Sequence, residues 1–191
     1  AVIPSEGNLK RELQRRKIPF YIIPFCENHR VMGARNWKEE LKKSFQNMQA
    51  MVRVICLIRK EGVDIVHSNS TAADVGARAA LFTRTPHVYH VRELMEEDFG
   101  WEYINKSKMK ALLQKSGAVV SISKTVQEAC QKKYGVRSIQ IYNAVNIKRY
   151  YQPHRPFFAD NKMKLLFCGG GMENKGAMDA VQAVKILKDK K

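Results

Sequence analysis

The chain has 191 residues, with 34 Lys and Arg against 18 Asp and Glu, which gives a formal net charge of +16. At 45% hydrophobic and 27% charged residues, its composition is that of a globular protein and excludes a disordered chain. The printed residues contain no apolar run of the roughly 20 residues that would cross a bilayer, and no signal-peptide pattern.

The cysteines Cys26, Cys56, Cys130 and Cys168 lie far apart, without a CxxC pair or a Cys/His cluster. This spacing disfavours a structural zinc site and a dense disulfide framework, so we expect reduced thiols in a cytosolic protein. The basic surplus is diffuse and is compatible with nucleic acid, an anionic membrane surface or a phosphorylated small molecule as partner. Because the sequence has no helix-turn-helix, zinc finger or RNA-binding motif, we do not expect nucleic acid.

The first third of the chain predicts two strands, a short helix and one long helix. Residues Ala1–Pro4 and Pro19–Pro24 are typical of strands, and Leu9–Lys17 is typical of a helix. A capping box at Asn36 predicts the start of a long helix that ends at Gly62. Apolar residues recur along it at spacings of three and four: Trp37, Leu41, Phe45, Met48, Val52, Ile55 and Ile58. We expect this stripe to face the core and prefer that interpretation to a membrane-binding helix.

Strands and helices then alternate. The predicted strands are Val63–His67, His87–Val91, Ala118–Ile122 and Ser138–Tyr142, and the predicted helices are Ala72–Thr83, Lys106–Lys115 and Lys124–Lys133. A capping box at Thr71 and Asp74 opens the first of these helices, and Arg92–Asn105 is a polar stretch without a predicted element. The alternation predicts an α/β fold, with a mostly parallel, Rossmann-like sheet and helices on both faces.

The last part of the chain predicts a linker and the beginning of a second domain. Prolines and aromatic residues interrupt the alternation between Asn146 and Lys162. A strand at Met163–Cys168, three glycines and a helix at Ala177–Leu187 follow. The predicted organisation is a domain at residues 1–146, a linker at 147–162 and one βα unit of a second domain at 163–191.

A strand, a glycine turn and a helix start can bind phosphate, because free N–H groups and the helix dipole favour an anion. Gly169, Gly170 and Gly171 form such a turn, with Lys175 and Gly176 entering the helix. The turn fits neither the P-loop nor the dinucleotide fingerprint. Relief of tight packing by the glycines is therefore the alternative interpretation.

Ligands of parallel sheets bind at the carboxyl ends of the strands. The candidate residues at these ends are His67, Asn69, His90, Arg92, Glu93, Ser123 and Asn143. We expect them to share one cleft, because each lies at or just after an apolar run. The alternatives are hydrogen-bonded structural histidines at His67 and His90, a surface ion pair of Arg92 and Glu93, and helix capping by Ser123.

Six segments occur in order over nearly the whole chain: VIPSEGNLKREL, VDIVHSNS, TPHVYHVRE, GAVVSISKTV, IQIYNAVN and MKLLFCGGGMENKGAMDAVQAV. Together they resemble a GT-B glycosyltransferase of family 4. The resemblance implies two Rossmann-like domains that face a cleft, the N-terminal one holding the acceptor and the C-terminal one the nucleotide-sugar donor. It also implies transfer of a sugar to a polysaccharide, glycolipid or lipid-linked acceptor, with retention of configuration and no required metal or other cofactor.

The resemblance assigns the donor-diphosphate site to Gly169–Gly171, Lys175 and Gly176. Lys175 would there stabilise negative charge on the leaving nucleoside diphosphate. Family members commonly have an arginine where this chain has Gly170, which removes one expected phosphate contact.

The acceptor-side candidates are His90, Arg92 and Glu93, with His67, Asn69, Ser123 and Asn143 beside them. Many family members have a histidine before an acidic residue at these positions. This chain has Arg92 and Glu93 there, as does a subset of members that carries HVRE. In IYNAVN, Asn143-Ala144 and Asn146 replace the usual NG and D.

The resemblance also implies an opening strand and a glycine-rich loop ahead of Ala1, and a paired-glutamate motif beyond Lys191. We therefore expect a fragment that does not transfer sugar by itself. A sheet without its opening strand has unpaired backbone groups, and we expect Met163–Cys168 to fill that edge, within the chain or by strand exchange in a dimer.

The expected location is the cytoplasm, with peripheral contact at the inner, anionic face of the membrane. Two rival functions remain open on the residues alone. One is a basic α/β module that binds nucleic acid, and the other is a phosphosugar-binding Rossmann domain without transferase activity.

Overall fold

In residues 1–151, 165–169 and 175–189, which this computed structural model describes, short strands form three sheets. The strands are β1 (Val2–Ile3), β2 (Tyr21–Ile22), β3 (His29–Val31), β4 (Val66–Asn69), β5 (His87–Val91), β6 (Trp101–Tyr103), β7 (Ala118–Ser121) and β8 (Ile139–Gln140). The central sheet is parallel, in the order β4-β5-β7-β8, while β1 and β2 form a parallel pair and β3 and β6 an antiparallel pair.

Helices connect these strands. They are α1 (Asn8–Arg15), α2 (Trp37–Glu61), α3 (Val75–Thr83), α4 (Met95–Phe99), α5 (Lys106–Lys115), α6 (Lys124–Ala129), α7 (Ile147–Tyr150) and α8 (Ala177–Asp189), and a π-helical turn at Cys130–Tyr134 continues α6. The alternation of strands and helices and the parallel central sheet confirm the predicted α/β fold. The chain divides into two compact units, Ala1–Ala144 and Val145–Lys191.

The ends of α2 lie where the sequence predicts them. The Asn36 side chain accepts a hydrogen bond from the Glu39 N–H at 3.3 Å, which satisfies a free donor of the first turn. Gly62 ends the helix in the left-handed conformation, with φ of 59°, and its N–H donates to the Ile58 carbonyl. Glycine adopts this conformation without the steric cost that a Cβ would add.

The prediction that the apolar stripe of α2 faces the core is wrong for its first half. Trp37, Leu41, Phe45, Met48 and Val52 are exposed, by 45% to 67% of their surface. Only Ile55 and Ile58 of the predicted stripe are buried. The buried face of α2 is a neighbouring one that begins further along the helix, with Asn47, Ala50, Val54, Ile55 and Ile58.

Hydrogen bonds of the Asn47 side chain determine that this neighbouring face of α2 is the buried one. Its side-chain amide accepts a hydrogen bond from the Cys26 N–H at 2.7 Å and donates one to the Cys26 carbonyl at 2.9 Å. The pair joins α2 to the backbone that follows β2, so a polar residue fixes the orientation of the helix about its axis. Apolar periodicity carries no information about such a contact.

Two apolar clusters form the core of the first unit. One joins β5 and β7 to α5 and α6, with Tyr89, Met109 and Leu113 fully buried. The other joins α2 to α3, where Ala79 is completely buried. The small side chains of α3 allow this close approach, as the sequence predicts.

The capping box predicted at Thr71 and Asp74 is not formed. α3 begins at Val75, and the Asp74 side chain accepts no capping hydrogen bond from it within the described residues. Thr71 is fully buried instead, and its hydroxyl lies 2.6 Å from the Tyr103 hydroxyl. Because Tyr103 lies on β6, this contact is a tertiary one that the local spacing does not reveal.

The polar stretch Arg92–Asn105 contains α4 and β6, which the sequence analysis does not predict. β6 pairs with β3, with His29 opposite Tyr103 and Val31 opposite Trp101. The His29 ring stacks on Trp101 with centroids 4.4 Å apart. The two strands are about 70 residues apart, and their pairing therefore depends on the tertiary fold rather than on local propensity.

The strand predicted at Met163–Cys168 is not observed where the structure describes it. Leu165–Cys168 has no regular secondary structure, and Met163 and Lys164 lie outside the described residues. Leu165–Cys168 therefore forms no strand that fills the sheet edge within the chain, whereas strand exchange in a dimer stays a prediction. In the predicted linker, α7 forms at Ile147–Tyr150.

Among the helices of the described ranges, we find none with the length and apolar character that a membrane span requires.

Candidate functional site

The carboxyl ends of β4 and β5 bring acceptor-side candidates together. Asn69 and His90 are register partners on the two strands, so their side chains project from the same face of the sheet. The rings of His67 and His90 lie 5.8 Å apart and are tilted by 38°. An Arg92 Nη1 donates to the Asn69 side-chain carbonyl at 3.3 Å. Strand pairing therefore groups these four residues, as the sequence predicts.

His90 provides the least satisfied polar atom of this group. Its Nε2 is buried and has no hydrogen-bond partner among the described residues. Burial, together with the charge of Arg92 and the neighbouring His67, lowers the pKa of His90 below its usual value. A neutral imidazole with an unpartnered nitrogen can exchange a hydrogen bond with a ligand hydroxyl.

Glu93 is held at the same site by Ser70, the residue that follows β4. The Ser70 hydroxyl donates a short hydrogen bond to Glu93 Oε1 and accepts one from the Ala72 N–H at 2.9 Å. Ser70 has a positive φ of 140°, which is unusual for a residue with a side chain. Through this contact the loop after β4 positions Glu93. The sequence indicates the role of Ser70 only by its place just after a strand.

Ser123 and Asn143 do not join this group. Ser123 caps α6 by accepting a hydrogen bond from the Val126 N–H at 3.2 Å, which is its alternative interpretation. Asn143 is exposed in a segment without regular structure. In the part of the chain described here, neither side chain makes a hydrogen bond to the residues at the ends of β4 and β5.

The predicted donor turn lies in the second unit and is described only in part. Gly170 and Gly171 lie outside the described residues, whereas Gly169, Lys175 and Gly176 are placed. A methyl group added to Gly169 would lie 2.7 Å from Phe167 Cζ and 3.2 Å from Lys175 Cβ. The backbone of Gly169 therefore runs close beside Lys175, and α8 begins directly after Gly176, at Ala177.

His87 is a buried polar residue that the sequence analysis does not single out. Its Nε2 lies 2.9 Å from the Ser68 hydroxyl and its Nδ1 lies 2.9 Å from the Ser116 hydroxyl. Burial, with a smaller effect of His67, lowers the pKa of His87 to about 4. Both ring nitrogens are satisfied by the protein, so His87 is a structural contact rather than a ligand-binding one.

Known structures show the same fold. Three crystal structures of Anabaena HepE, in complex with UDP-glucose, with UDP and glucose, and with UDP, match with TM-scores of 0.57, 0.57 and 0.54. Their sequence identities to the chain are 23%, 23% and 19%. The matches cover 80% of this chain but only 38%, 39% and 38% of the HepE chains, so the chain spans well under half of their length.

Sequence comparison assigns the family independently. A search of curated proteins gives no match. Residues 7–149, which extend from α1 into α7 and include the ends of β4 and β5, match the sequence profile of Glycosyltransferase Family 4. Because this match covers well over half of the chain, the chain belongs to Glycosyltransferase Family 4.

Proposed function

We propose that the chain is the acceptor-side part of a glycosyltransferase that moves a sugar from a nucleotide-sugar to a polysaccharide, glycolipid or lipid-linked acceptor. The observation that carries this proposal is the group of His67, Asn69, His90 and Arg92 at the carboxyl ends of two parallel strands. In open α/β sheets this is the edge at which ligands bind.

In this proposal, the acceptor hydroxyl lies at His90 Nε2, which the described residues leave without a partner. The lowered pKa of His90 favours the neutral ring, so Nε2 can accept a hydrogen bond from the hydroxyl. Arg92 is anchored by Asn69, and its guanidinium would orient further acceptor oxygens.

The donor diphosphate would bind at Gly169–Gly171, Lys175 and Gly176. The close approach of Gly169 to Lys175 and the helix start at Ala177 support this assignment, because backbone N–H groups and a lysine then lie side by side. The UDP-glucose bound to HepE supports a nucleotide-sugar as the donor class. Retention of configuration and independence of a metal are proposed on the family resemblance.

Binding of UDP-glucose tests the donor part. We expect UDP-glucose to shift the backbone amide signals of Gly169, Lys175 and Gly176. Lys175→Met should weaken this binding about 30-fold, since a charge-assisted phosphate contact contributes on the order of 2 kcal/mol. The matched control is Lys185→Met, an exposed lysine on α8, which should leave the binding unchanged.

The same titration separates the rival functions. Amide shifts with glucose 1-phosphate but none with UDP-glucose would replace the transferase by a phosphosugar-binding domain. Steeply salt-dependent, sequence-selective binding of a DNA duplex would favour the nucleic-acid module. We also expect no turnover of UDP-glucose by the chain alone, and a detectable rate of transfer or hydrolysis would contradict the proposed inactivity of the fragment.

The acceptor is proposed to be reached at an anionic membrane surface, with the protein on the cytoplasmic side. The exposed apolar residues of α2, from Trp37 to Val52, form one stripe on the helix, and Lys38 and Lys42 flank it. The Lys38 ammonium lies 5.7 Å from the centroid of the Trp37 ring. An apolar stripe bordered by lysines is complementary to acyl chains and anionic headgroups.

Vesicle sedimentation tests this contact. The chain should bind vesicles that contain phosphatidylglycerol more strongly than vesicles of phosphatidylcholine alone. Phe45→Ser should reduce the bound fraction, whereas Leu9→Ser, at an exposed apolar residue of α1, should not. Equal binding of the two variants, or no dependence on anionic lipid, would overturn the proposed membrane contact.

A further inference from the structure

A cavity of about 260 Å³ lies between α2, α3 and α5, within the first unit. Polar side chains from all three helices and from the loop after β2 line it, among them Asn28, Ser44, Asp74 and Asn105. The cavity lining includes none of the acceptor-side residues, which are His67, Asn69, His90, Arg92 and Glu93. We propose that the cavity binds a single saccharide unit, at a site separate from the transfer site.

Asp74 is the residue that marks the cavity as a binding site. Only 2% of its surface is exposed, although it carries a carboxylate. It occupies the position from which an aspartate normally caps a helix, but its side chain does not cap α3. The carboxylate is instead held on the cavity side by Lys108 of α5, with Lys108 Nζ 2.5 Å from Asp74 Oδ2.

The second carboxylate oxygen of Asp74 is left without a donor. Oδ1 is buried and accepts no hydrogen bond from any residue that the structure describes. Arg78 Nη1 lies 3.8 Å from Oδ1, beyond hydrogen-bonding distance. A buried carboxylate oxygen without a donor is costly, and a ligand that supplies a donor would remove that cost.

The unsatisfied Oδ1 of Asp74 favours a ligand that carries a hydrogen-bond donor. Phosphate at neutral pH offers mainly acceptors, so it matches poorly a site whose unsatisfied atom is itself an acceptor. The cations of the lining each face a carboxylate of the protein: Lys108 at 2.5 Å and Arg78 at 3.8 Å face Asp74, and Lys43 at 3.1 Å faces Glu39. A hydroxyl group both donates and accepts, and so fits Asp74 beside the amides of Asn28 and Asn105.

The lining and the volume of the cavity restrict the class of ligand further. Among the lining residues, which all belong to the described part of the chain, none is aromatic, so a nucleobase has no ring to stack on. A volume of 260 Å³ is also below the roughly 300–1,000 Å³ of pockets that enclose drug-sized ligands. A hydroxyl-rich monosaccharide, alone or as one unit of a glycan, meets both conditions.

Amide-detected titration of the whole chain tests this proposal. The probes are glucose, galactose, mannose and N-acetylglucosamine, each added to millimolar concentration, and inorganic phosphate. We expect at least one of the sugars to give saturable shifts at Asn28, Asp74 and Asn105. Ser44→Tyr, at an exposed helix position on the cavity wall, should abolish these shifts by filling the cavity.

Two controls make the result decisive. Gln49→Tyr places the same side chain at an exposed position of α2 that does not line the cavity, and it should leave sugar binding intact. Asp74→Asn should weaken binding, with folding checked by circular dichroism. Shifts that persist in Ser44→Tyr, shifts with phosphate only, or no saturable shift with any sugar would each overturn the proposal. The readout is separate from UDP-glucose binding at Gly169–Gly176, so either proposal can fail alone.

Discussion

Histidine shows most clearly how the environment of a residue decides its role in this protein. His87 and His90 lie three residues apart on β5 and therefore project from opposite faces of the sheet. His87 is bonded through both ring nitrogens to serines, whereas Nε2 of His90 has no partner in the described residues. The strand sequence HVYHV does not distinguish the two, and only packing separates a structural histidine from a candidate binding one.

His87 should make the stability of the protein depend on pH. The unfolded chain takes up a proton near pH 6.5 at this residue, but the folded chain only near pH 4. The free energy of unfolding therefore falls as the pH is lowered through this interval, by on the order of 3 kcal/mol in total. Urea unfolding at a series of pH values measures this loss. His87→Gln, which does not titrate, should show a shallower slope, and an unchanged slope would contradict the assignment.

At the scale of elements, a chain of ion pairs joins the β3–β6 pair to three helices. Arg30 of β3 lies 2.5 Å from Glu40 of α2 and 2.9 Å from Glu102 of β6. Lys106 of α5 continues the chain from Glu102 to Glu96 of α4, at 3.3 Å and 2.7 Å. Networks of this kind stabilise more than isolated surface pairs do.

Removal of Arg30 should therefore destabilise the protein more than removal of an isolated lysine. Arg30→Met leaves Glu40 and Glu102 without their shared partner and should lower the thermal unfolding midpoint at pH 7. The matched control is Lys60→Met, because within the described part of the chain Lys60 forms only an exposed pair with Glu61, at 3.7 Å.

The effect of Arg30→Met should also vanish in acid. Hydrogen bonds from Arg30 and Lys106 lower the pKa of Glu102. Its contribution to stability is therefore present above the usual glutamate pKa and is lost as the pH falls through the lowered value. Differential scanning calorimetry at pH 7 and pH 3 compares the variants, and an equal loss at both pH values would argue against the ion pairs as the cause.

At the scale of the whole molecule, the buried core belongs to the first unit. Every residue that the structure describes as buried lies between Ile3 and Ser138. α8 in the second unit has an apolar composition but contains no buried residue within its described length. The first unit, Ala1–Ala144, therefore contains the interactions that stabilise its own fold.

A chain that ends at Ala144 should consequently fold by itself. We expect its thermal midpoint to lie within a few degrees of that of the 191-residue chain, because no buried side chain of the described residues is removed. Circular dichroism and calorimetry measure the two midpoints. A truncated chain that is unfolded, or that melts without cooperativity, would show that the second unit contributes to the core.

Several features follow from the sequence because their causes are local. The alternation of apolar runs with helical patterns predicts the parallel sheet, and the Asn36 cap and Gly62 predict both ends of α2. The gathering of His67, Asn69, His90 and Arg92 follows from parallel pairing, because the ends of adjacent strands meet at one edge.

Other features were decided only by the tertiary structure, because their causes connect residues far apart in the chain. The hydrogen bonds between Asn47 and Cys26 choose which face of α2 is buried and leave the stripe from Trp37 to Val52 exposed. The pairing of β3 with β6 places Tyr103 against Thr71 and removes the expected capping box. Sequence periodicity records the apolar character of a residue, but the partner that a residue meets depends on how the whole chain folds.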